Sequence, residues 1–256
     1  MKMIWIAIAV RLVLGSLTVQ IRESDGLWMD ADIWRQLAVF VQNREEWLVK
    51  GGVRSGTGRF AVRDLDGDGS LELMVNITEG TGHYSDNHFY RLKEDGTGIE
   101  ELAQDKSGNT YPESYFDLRS GWRTTDVTVL RDNSNGRIYY LAEDYLSAIS
   151  PYYTLVDGYF YLEDGCVYSV ALRVYDGTYG EEGTEELYRD GNAKVLSKEE
   201  WEKAGADFIN GKEALAPVKW SGMDNNEAAA ASDDELLYLL AETLSSPADR
   251  NIPKEQ

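Results

Sequence analysis

Closely spaced turn signals constrain the fold of this chain more than any other feature. Six Asp-Gly or Asn-Gly dipeptides lie between residues 95 and 191, at Asp95-Gly96, Asn135-Gly136, Asp157-Gly158, Asp164-Gly165, Asp176-Gly177 and Asp190-Gly191. Such dipeptides adopt the positive φ angles of tight hairpin turns at low cost. Because parallel neighbours need a crossover of a dozen or more residues, the short runs between these signals predict an antiparallel β-meander.

Helical patterns flank the predicted meander. Apolar residues recur at three- and four-residue spacing over residues 30–50, which predicts an amphipathic helix. Near the C-terminus, Ser197 followed by Glu200 and Ser232 followed by Glu235 match the capping-box pattern that begins helices. Together these patterns predict an α+β fold: an N-terminal helix, a twisted antiparallel sheet, and C-terminal helices packed on the sheet.

The ends of the chain differ from its middle. In residues 1–20, Lys2 precedes an apolar run that Arg11 interrupts. This outline predicts a signal-like export segment, or an apolar N-terminal helix that packs on the domain. The run is shorter than the ~20 residues that cross a bilayer, so no membrane span beyond this segment is expected. We expect a single domain over residues 21–246, a polar tail over residues 247–256, and a secreted or cell-surface location.

The charge of the chain excludes some partners. The 45 acidic residues outnumber the 25 basic ones, which gives a formal net charge of −20. So negative a protein is repelled by nucleic acid and by anionic membrane surfaces. With one cysteine, Cys166, the chain forms no intramolecular disulfide. The remaining candidate partners are a protein or a glycan, and the sequence does not identify which.

An acidic loop over residues 64–72 carries the clearest chemistry in the sequence. Its acidic residues stand at positions 1, 3, 5 and 9, with a glycine at position 6, namely Asp64, Asp66, Asp68, Glu72 and Gly69. Alternate residues of a tight loop can turn their side chains toward one centre. Oxygen ligands at this spacing suit a hard cation, above all Ca²⁺. The glycine is expected because the sharp turn at position 6 needs a backbone conformation that only glycine adopts cheaply.

The residues around this loop define which kind of calcium loop it resembles. Apolar and polar residues alternate on both sides, which predicts a strand before and a strand after the loop, and position 12 is Val75 instead of a glutamate. The loop therefore resembles the strand-loop-strand, EF-hand-like loops of integrin-like FG-GAP and VCBS repeats, in which position 9 supplies an acidic ligand. The wider context also resembles a group of uncharacterised exported proteins of Gram-positive anaerobes. The resemblance implies side-chain ligands from Asp64, Asp66 and Asp68, a main-chain carbonyl ligand from Ser70, and Glu72 closing the site.

Three functions remain open on the sequence alone. The first is an exported, non-catalytic protein in which calcium stabilises a β-rich interaction domain. The second is a carbohydrate-binding accessory module that uses the tyrosines of the meander, since aromatic rings stack on sugars. The third is a glycoside hydrolase that uses paired carboxylates, for which the candidates are Glu143-Asp144, Glu181-Glu182 and Glu185-Glu186.

Overall fold

The computed structural model describes residues 11–13, 16–18, 30–50, 58–79, 84–105, 127–149, 152–178, 186–221 and 225–244. The first two segments are strands β1 (Arg11–Val13) and β2 (Ser16–Thr18), which pair in antiparallel register, so the alternative of an N-terminal helix is wrong at these residues. No helix in the described part of the chain is long and apolar enough to cross a membrane. The polar tail predicted for residues 247–256 lies outside the described residues.

Five helices are described: α1 (Ala31–Gln42), α2 (Arg44–Lys50), α3 (Lys198–Ile209), α4 (Asn225–Ala230) and α5 (Asp233–Thr243). The helix predicted over residues 30–50 is therefore two helices. The chain breaks at Asn43, whose backbone N–H and side-chain Nδ2 both donate to the carbonyl of Val39, at 3.1 and 2.8 Å. A side chain that competes for a helical carbonyl in this way favours a helix end.

Both predicted capping boxes are confirmed. At the start of α3, Ser197 Oγ accepts from the backbone N–H of Glu200, and the Glu200 carboxylate accepts from the N–H of Ser197. Ser232 and Glu235 make the same reciprocal pair at the start of α5. Each box satisfies backbone N–H groups that the first turn of a helix leaves without an intrahelical partner.

The smaller of the two main sheets has four antiparallel strands in the order of the chain: β3 (Gly58–Arg63), β4 (Glu72–Glu79), β5 (Tyr84–Leu92) and β6 (Ile99–Glu101). The acidic loop joins β3 to β4, so the predicted strand-loop-strand arrangement is confirmed. Phe60 pairs with Val75, and Arg63 pairs with Glu72 at the end of the ladder next to the loop.

The larger sheet has eight strands: β7 (Ala103–Asp105), β8 (Thr128–Asp132), β9 (Ile138–Ile149), β10 (Tyr152–Glu163), β11 (Cys166–Thr178), β12 (Leu187–Asp190), β13 (Val195–Leu196) and β14 (Lys212–Ala214). Seven of them are antiparallel in the order β13-β12-β11-β10-β9-β8-β14, and β7 pairs parallel to β11. The central strands β9, β10 and β11 are 12 or 13 residues long. The antiparallel meander is confirmed, with longer strands than the turn signals suggested.

Four layers follow from the packing of these elements. One face of the smaller sheet, including Phe60 and Val75, packs against α1, α2, α4 and α5 in one core cluster. Its other face, including Met74, packs against the larger sheet in a second cluster. On the outer face of the larger sheet lies α3, where Phe208 stacks on Tyr159 with 4.5 Å between ring centroids. The smaller sheet is thus buried on both faces, and the acidic loop lies at one end of it.

Two of the turn predictions were wrong. Asp157-Gly158 and Asp176-Gly177 lie inside strands β10 and β11 and not in turns. Gly158 follows a register shift in β10, and a Cβ on Gly177 would lie 2.7 Å from the Tyr153 ring. Glycine in a strand interior often marks a bulge or a close approach, and both uses occur here. The turns at residues 95–96, 135–136 and 164–165 are confirmed, and each has a glycine with positive φ. The turn at residues 190–191 is also confirmed, and there the positive φ belongs to Ala193.

Candidate metal centre

The acidic loop turns sharply at two glycines. Gly67 has φ +84° and Gly69 has φ +95°. L-residues with a Cβ rarely adopt this left-handed region, so each position favours glycine. The prediction that position 6 of the loop, Gly69, has a backbone conformation that glycine adopts most cheaply is confirmed.

Side-chain carboxylates organise the backbone of the loop. The two carboxylate oxygens of Asp64 accept hydrogen bonds from the N–H groups of Gly67 and Gly69, at 2.7 and 3.1 Å. Asp66 accepts from the N–H of Asp68 at 3.1 Å, and Asp68 accepts from the N–H of Ser70 at 2.6 Å. Each bond spans two to five residues, so the aspartates fold the loop around themselves. A carboxylate has about four lone-pair sites, and these bonds leave capacity for a cation.

Three of the four predicted acidic ligands come together. Asp64, Asp66 and Glu72 each offer a carboxylate oxygen, and these oxygens all lie within 4.8 Å of one another. Across the described residues, no other group of three or more acidic, histidine or cysteine side chains is close enough to share an ion. Asp68 lies outside this group and is exposed, as is Ser70.

Burial sets the electrostatics of the three carboxylates. Glu72 is only 2% exposed, and its Oε2 accepts a hydrogen bond from the N–H of Leu65 at 2.8 Å. Burial raises the pKa of Glu72 well above its ordinary value, and the charges of the loop aspartates raise it further. Burial also raises the pKa of Asp64 to about 6 and raises that of Asp66. The site therefore favours either bound protons or a positive ion over three bare negative charges.

Two side chains from distant elements hold the loop. Gln36 of α1 accepts a hydrogen bond from the N–H of Leu71 at 2.7 Å and donates one to the carbonyl of Gly69 at 3.3 Å. From the opposite layer, the Tyr140 hydroxyl in β9 donates to the carbonyl of Leu65 at 3.1 Å. Sequence reasoning missed both residues, and no local pattern marks them because their role depends on how the layers pack.

The three carboxylates are close enough to share one metal ion. Two oxygens bound to one calcium ion lie at most ~4.6–5.2 Å apart, since calcium–oxygen bonds are ~2.3–2.6 Å long. The oxygens of Asp64, Asp66 and Glu72 lie within 4.8 Å of one another.

The tyrosines of the larger sheet pack on one another. Tyr161 stacks on Tyr168 with centroids 5.2 Å apart and an interplanar angle of 14°, and on Tyr159 at 6.4 Å and 27°. Phe208 of α3 covers Tyr159. The face of Tyr159 that Phe208 covers is not open to a sugar ring and packs α3 on the sheet. The carbohydrate-binding alternative stays a prediction.

The candidate carboxylate pairs of a hydrolase fall largely outside the described residues. This applies to residues 181, 182 and 185 and to the side chains of residues 143 and 144. The Glu186 carboxylate accepts hydrogen bonds from the hydroxyls of Tyr188 and Tyr175, at 2.8 and 3.2 Å. The described contacts of Glu186 thus hold the side chains of Tyr175 and Tyr188 in place. The hydrolase alternative stays a prediction.

Comparison of the chain with protein-family models, with curated proteins and with solved structures finds no match. Inferences about function therefore depend on the loop, its ligand geometry and the layers that hold it.

Proposed function

We propose that the loop over residues 64–72 binds a calcium ion, and that this ion stabilises an exported, non-catalytic protein with a β-rich interaction domain. The observation that carries the proposal is the approach of Asp64, Asp66 and Glu72 to within 4.8 Å, with Glu72 buried. Asp68 and the Ser70 carbonyl complete the proposed ligand set. The partner of the domain is an unidentified protein or glycan.

The energetics of the carboxylates support a bound cation. Like charges ~4–5 Å apart repel by roughly 1–4 kcal/mol per pair, depending on the local dielectric. Glu72 also loses most of its hydration, because the larger sheet covers its side of β4. In the metal-free state, the close approach of Glu72 to Asp64 and Asp66 therefore costs free energy. A bound divalent cation would remove the repulsion, and its bonds to the carboxylate oxygens would replace the hydration that Glu72 loses.

A structural role for the ion is favoured by the position of the loop. The loop connects two strands of the smaller sheet and is bonded to Gln36 on the helical side and to Tyr140 on the side of the larger sheet. An ion here stabilises a region where three layers meet. We expect a dissociation constant on the order of 10⁻⁶–10⁻³ M, the range of extracellular calcium modules and weaker sensors.

The test is thermal or urea unfolding of the full chain in chelator and in millimolar calcium. We expect calcium to raise the unfolding midpoint, because a ligand that binds the native state selectively stabilises it. Asp66→Asn should abolish the calcium effect and leave the metal-free fold intact. Asp207→Asn, which makes the same charge change at an exposed site on α3, is the matched control. An identical midpoint with and without calcium contradicts the proposal.

A further inference from the structure

Gln36 holds the two peptide groups on either side of Ser70. Its Oε1 accepts from the N–H of Leu71 at 2.7 Å, and its Nε2 donates to the carbonyl of Gly69 at 3.3 Å. The carbonyl of Gly69 belongs to the peptide unit before Ser70, and the N–H of Leu71 belongs to the unit after it. One side chain from α1 therefore fixes both planes that meet at Ser70.

Because the peptide bond is planar, the two hydrogen bonds of Gln36 also set the direction of the Ser70 carbonyl. The Ser70 C=O and the Leu71 N–H share one planar unit, and in a trans peptide the two groups point in opposite directions. Because the Leu71 N–H points to Gln36, the Ser70 carbonyl points away from α1. This carbonyl is the main-chain oxygen in the proposed ligand set.

The helix that carries Gln36 is a rigid support. Trp34 and Leu37 of α1 are at most 1% exposed and pack into the core between the helices and the smaller sheet. An ordered helix holds a side chain more precisely than a loop does. The position of Gln36 relative to the loop is thus fixed by the packing of the helical layer.

We propose that Gln36 is the positioning residue of the cation site, and that it couples occupancy of the loop to the docking of helix α1. This inference rests on the proposed function. Gln36 does not contact the ion; it orients the Ser70 carbonyl that does. Side chains that orient metal ligands typically change metal affinity by 10–100-fold when they are removed.

Coupling of this kind works in both directions. If a well-docked α1 strengthens cation binding through Gln36, cation binding strengthens the docking of α1 by the same factor. Calcium should therefore slow amide hydrogen exchange in α1 as well as in the loop. Without Gln36 the loop should still gain protection from calcium, and α1 should gain none.

Calorimetric titration with calcium, together with hydrogen exchange, tests the coupling in the full chain. Gln36→Ala is expected to weaken calcium binding about tenfold and to remove the calcium-dependent protection of α1. Gln42→Ala is the matched control, because Gln42 is an exposed glutamine on the same helix. Gln36→Glu keeps the acceptor for the Leu71 N–H and loses only the donor to the Gly69 carbonyl, so it should bind calcium more tightly than Gln36→Ala does.

The outcomes separate this inference from the function on which it rests. No calcium binding by the unchanged protein overturns both. Binding by the unchanged protein with equal affinity in Gln36→Ala overturns the coupling alone. Equal losses in Gln36→Ala and Gln42→Ala also overturn it, since the effect then belongs to helix stability. Metal-free unfolding of each variant at the titration temperature verifies that all are folded.

Discussion

The hydroxyl of Tyr140 donates a 3.1 Å hydrogen bond to the main-chain carbonyl of Leu65. Tyr140 lies in a central strand of the larger sheet, and Leu65 is the second residue of the acidic loop. Both residues are fully buried. The bond therefore fixes the loop to the neighbouring layer at a point that water does not reach, where an unmade hydrogen bond is most costly.

Tyr140→Phe should lower the free energy of unfolding by about 1–2 kcal/mol. The substitution keeps the ring and its stacking on Phe160, with centroids 4.6 Å apart. The loss of free energy of unfolding therefore measures the contribution of the hydroxyl. Urea unfolding measures the difference. Tyr168→Phe, a half-buried tyrosine on the outer face of the same sheet, should change stability by less than about 0.5 kcal/mol. Equal effects from the two substitutions would contradict a specific role for the Tyr140 bond.

Gly69→Ala separates backbone strain from cation binding. Gly69 has φ +95°, and Gly96, in the turn between β5 and β6, has φ +66° with open space around it. Alanine at either position should cost about 1–2 kcal/mol in metal-free protein, because both backbones are left-handed. Only Gly69→Ala should also reduce the stabilisation by calcium, since it distorts the loop. Unfolding of both variants with and without calcium measures this, and a preserved calcium effect in Gly69→Ala would rule out a strict requirement for glycine there.

Local patterns predicted the parts of the fold that depend on a few neighbouring residues. The capping boxes at Ser197 and Ser232 and the strands around the acidic loop are examples, because each follows from side chains within a few positions of the backbone that they affect. The turn signal failed at Gly158 and Gly177. There, strands on both sides pair with the glycine strand, and long-range pairing overrides the local preference for a turn.

The carboxylates of the candidate site were largely predictable from the sequence, and their surroundings were not. Spacing alone predicted Asp64, Asp66, Asp68 and Glu72 as convergent oxygens, and the structure brings all of these together except Asp68. The alternation of Glu72 and Asn76 with apolar residues also predicted a strand, but it could not show that both polar side chains would be buried by the larger sheet. Gln36 lies 33 residues from Gly69 in the chain, so its role emerges only when the layers pack.

Metal-free protein should lose stability as the pH rises through about 6. The folded state raises the pKa of Asp64 to about 6 and that of Glu72 well above its ordinary value, mainly through burial. Groups whose folded pKa is raised contribute stability that is fully present below the unfolded pKa of about 4 and is lost as the pH rises through the folded pKa. Calcium should oppose this loss because it binds the deprotonated carboxylates.

The pH effect is measured by urea unfolding at several pH values between about 4 and 7.5, in metal-free buffer and in calcium. Asp64→Asn removes one of the three carboxyls whose pKa is raised, so the decline with pH should be shallower in this variant. Carboxylates outside the loop titrate equally in both proteins, so the difference between the two curves reports Asp64 together with the effect of its charge on Glu72. Parallel curves for the two proteins would show that the pKa of Asp64 is not raised.

Thr243→Val tests whether the Thr243 hydroxyl closes the edge of the smaller sheet at β3. The hydroxyl of Thr243, in α5, accepts from the N–H of Val62 in edge strand β3 at 2.9 Å and donates to the carbonyl of Leu240 at 2.7 Å. Valine has nearly the same shape but leaves the buried Val62 N–H unsatisfied, which should cost about 1–3 kcal/mol. Thr243→Ser keeps the hydroxyl and should recover most of this loss. An unpaired edge strand is a template for association, so Thr243→Val should also increase the self-association that light scattering detects during unfolding. If the stability of Thr243→Val is unchanged, the Thr243 hydroxyl does not close this edge.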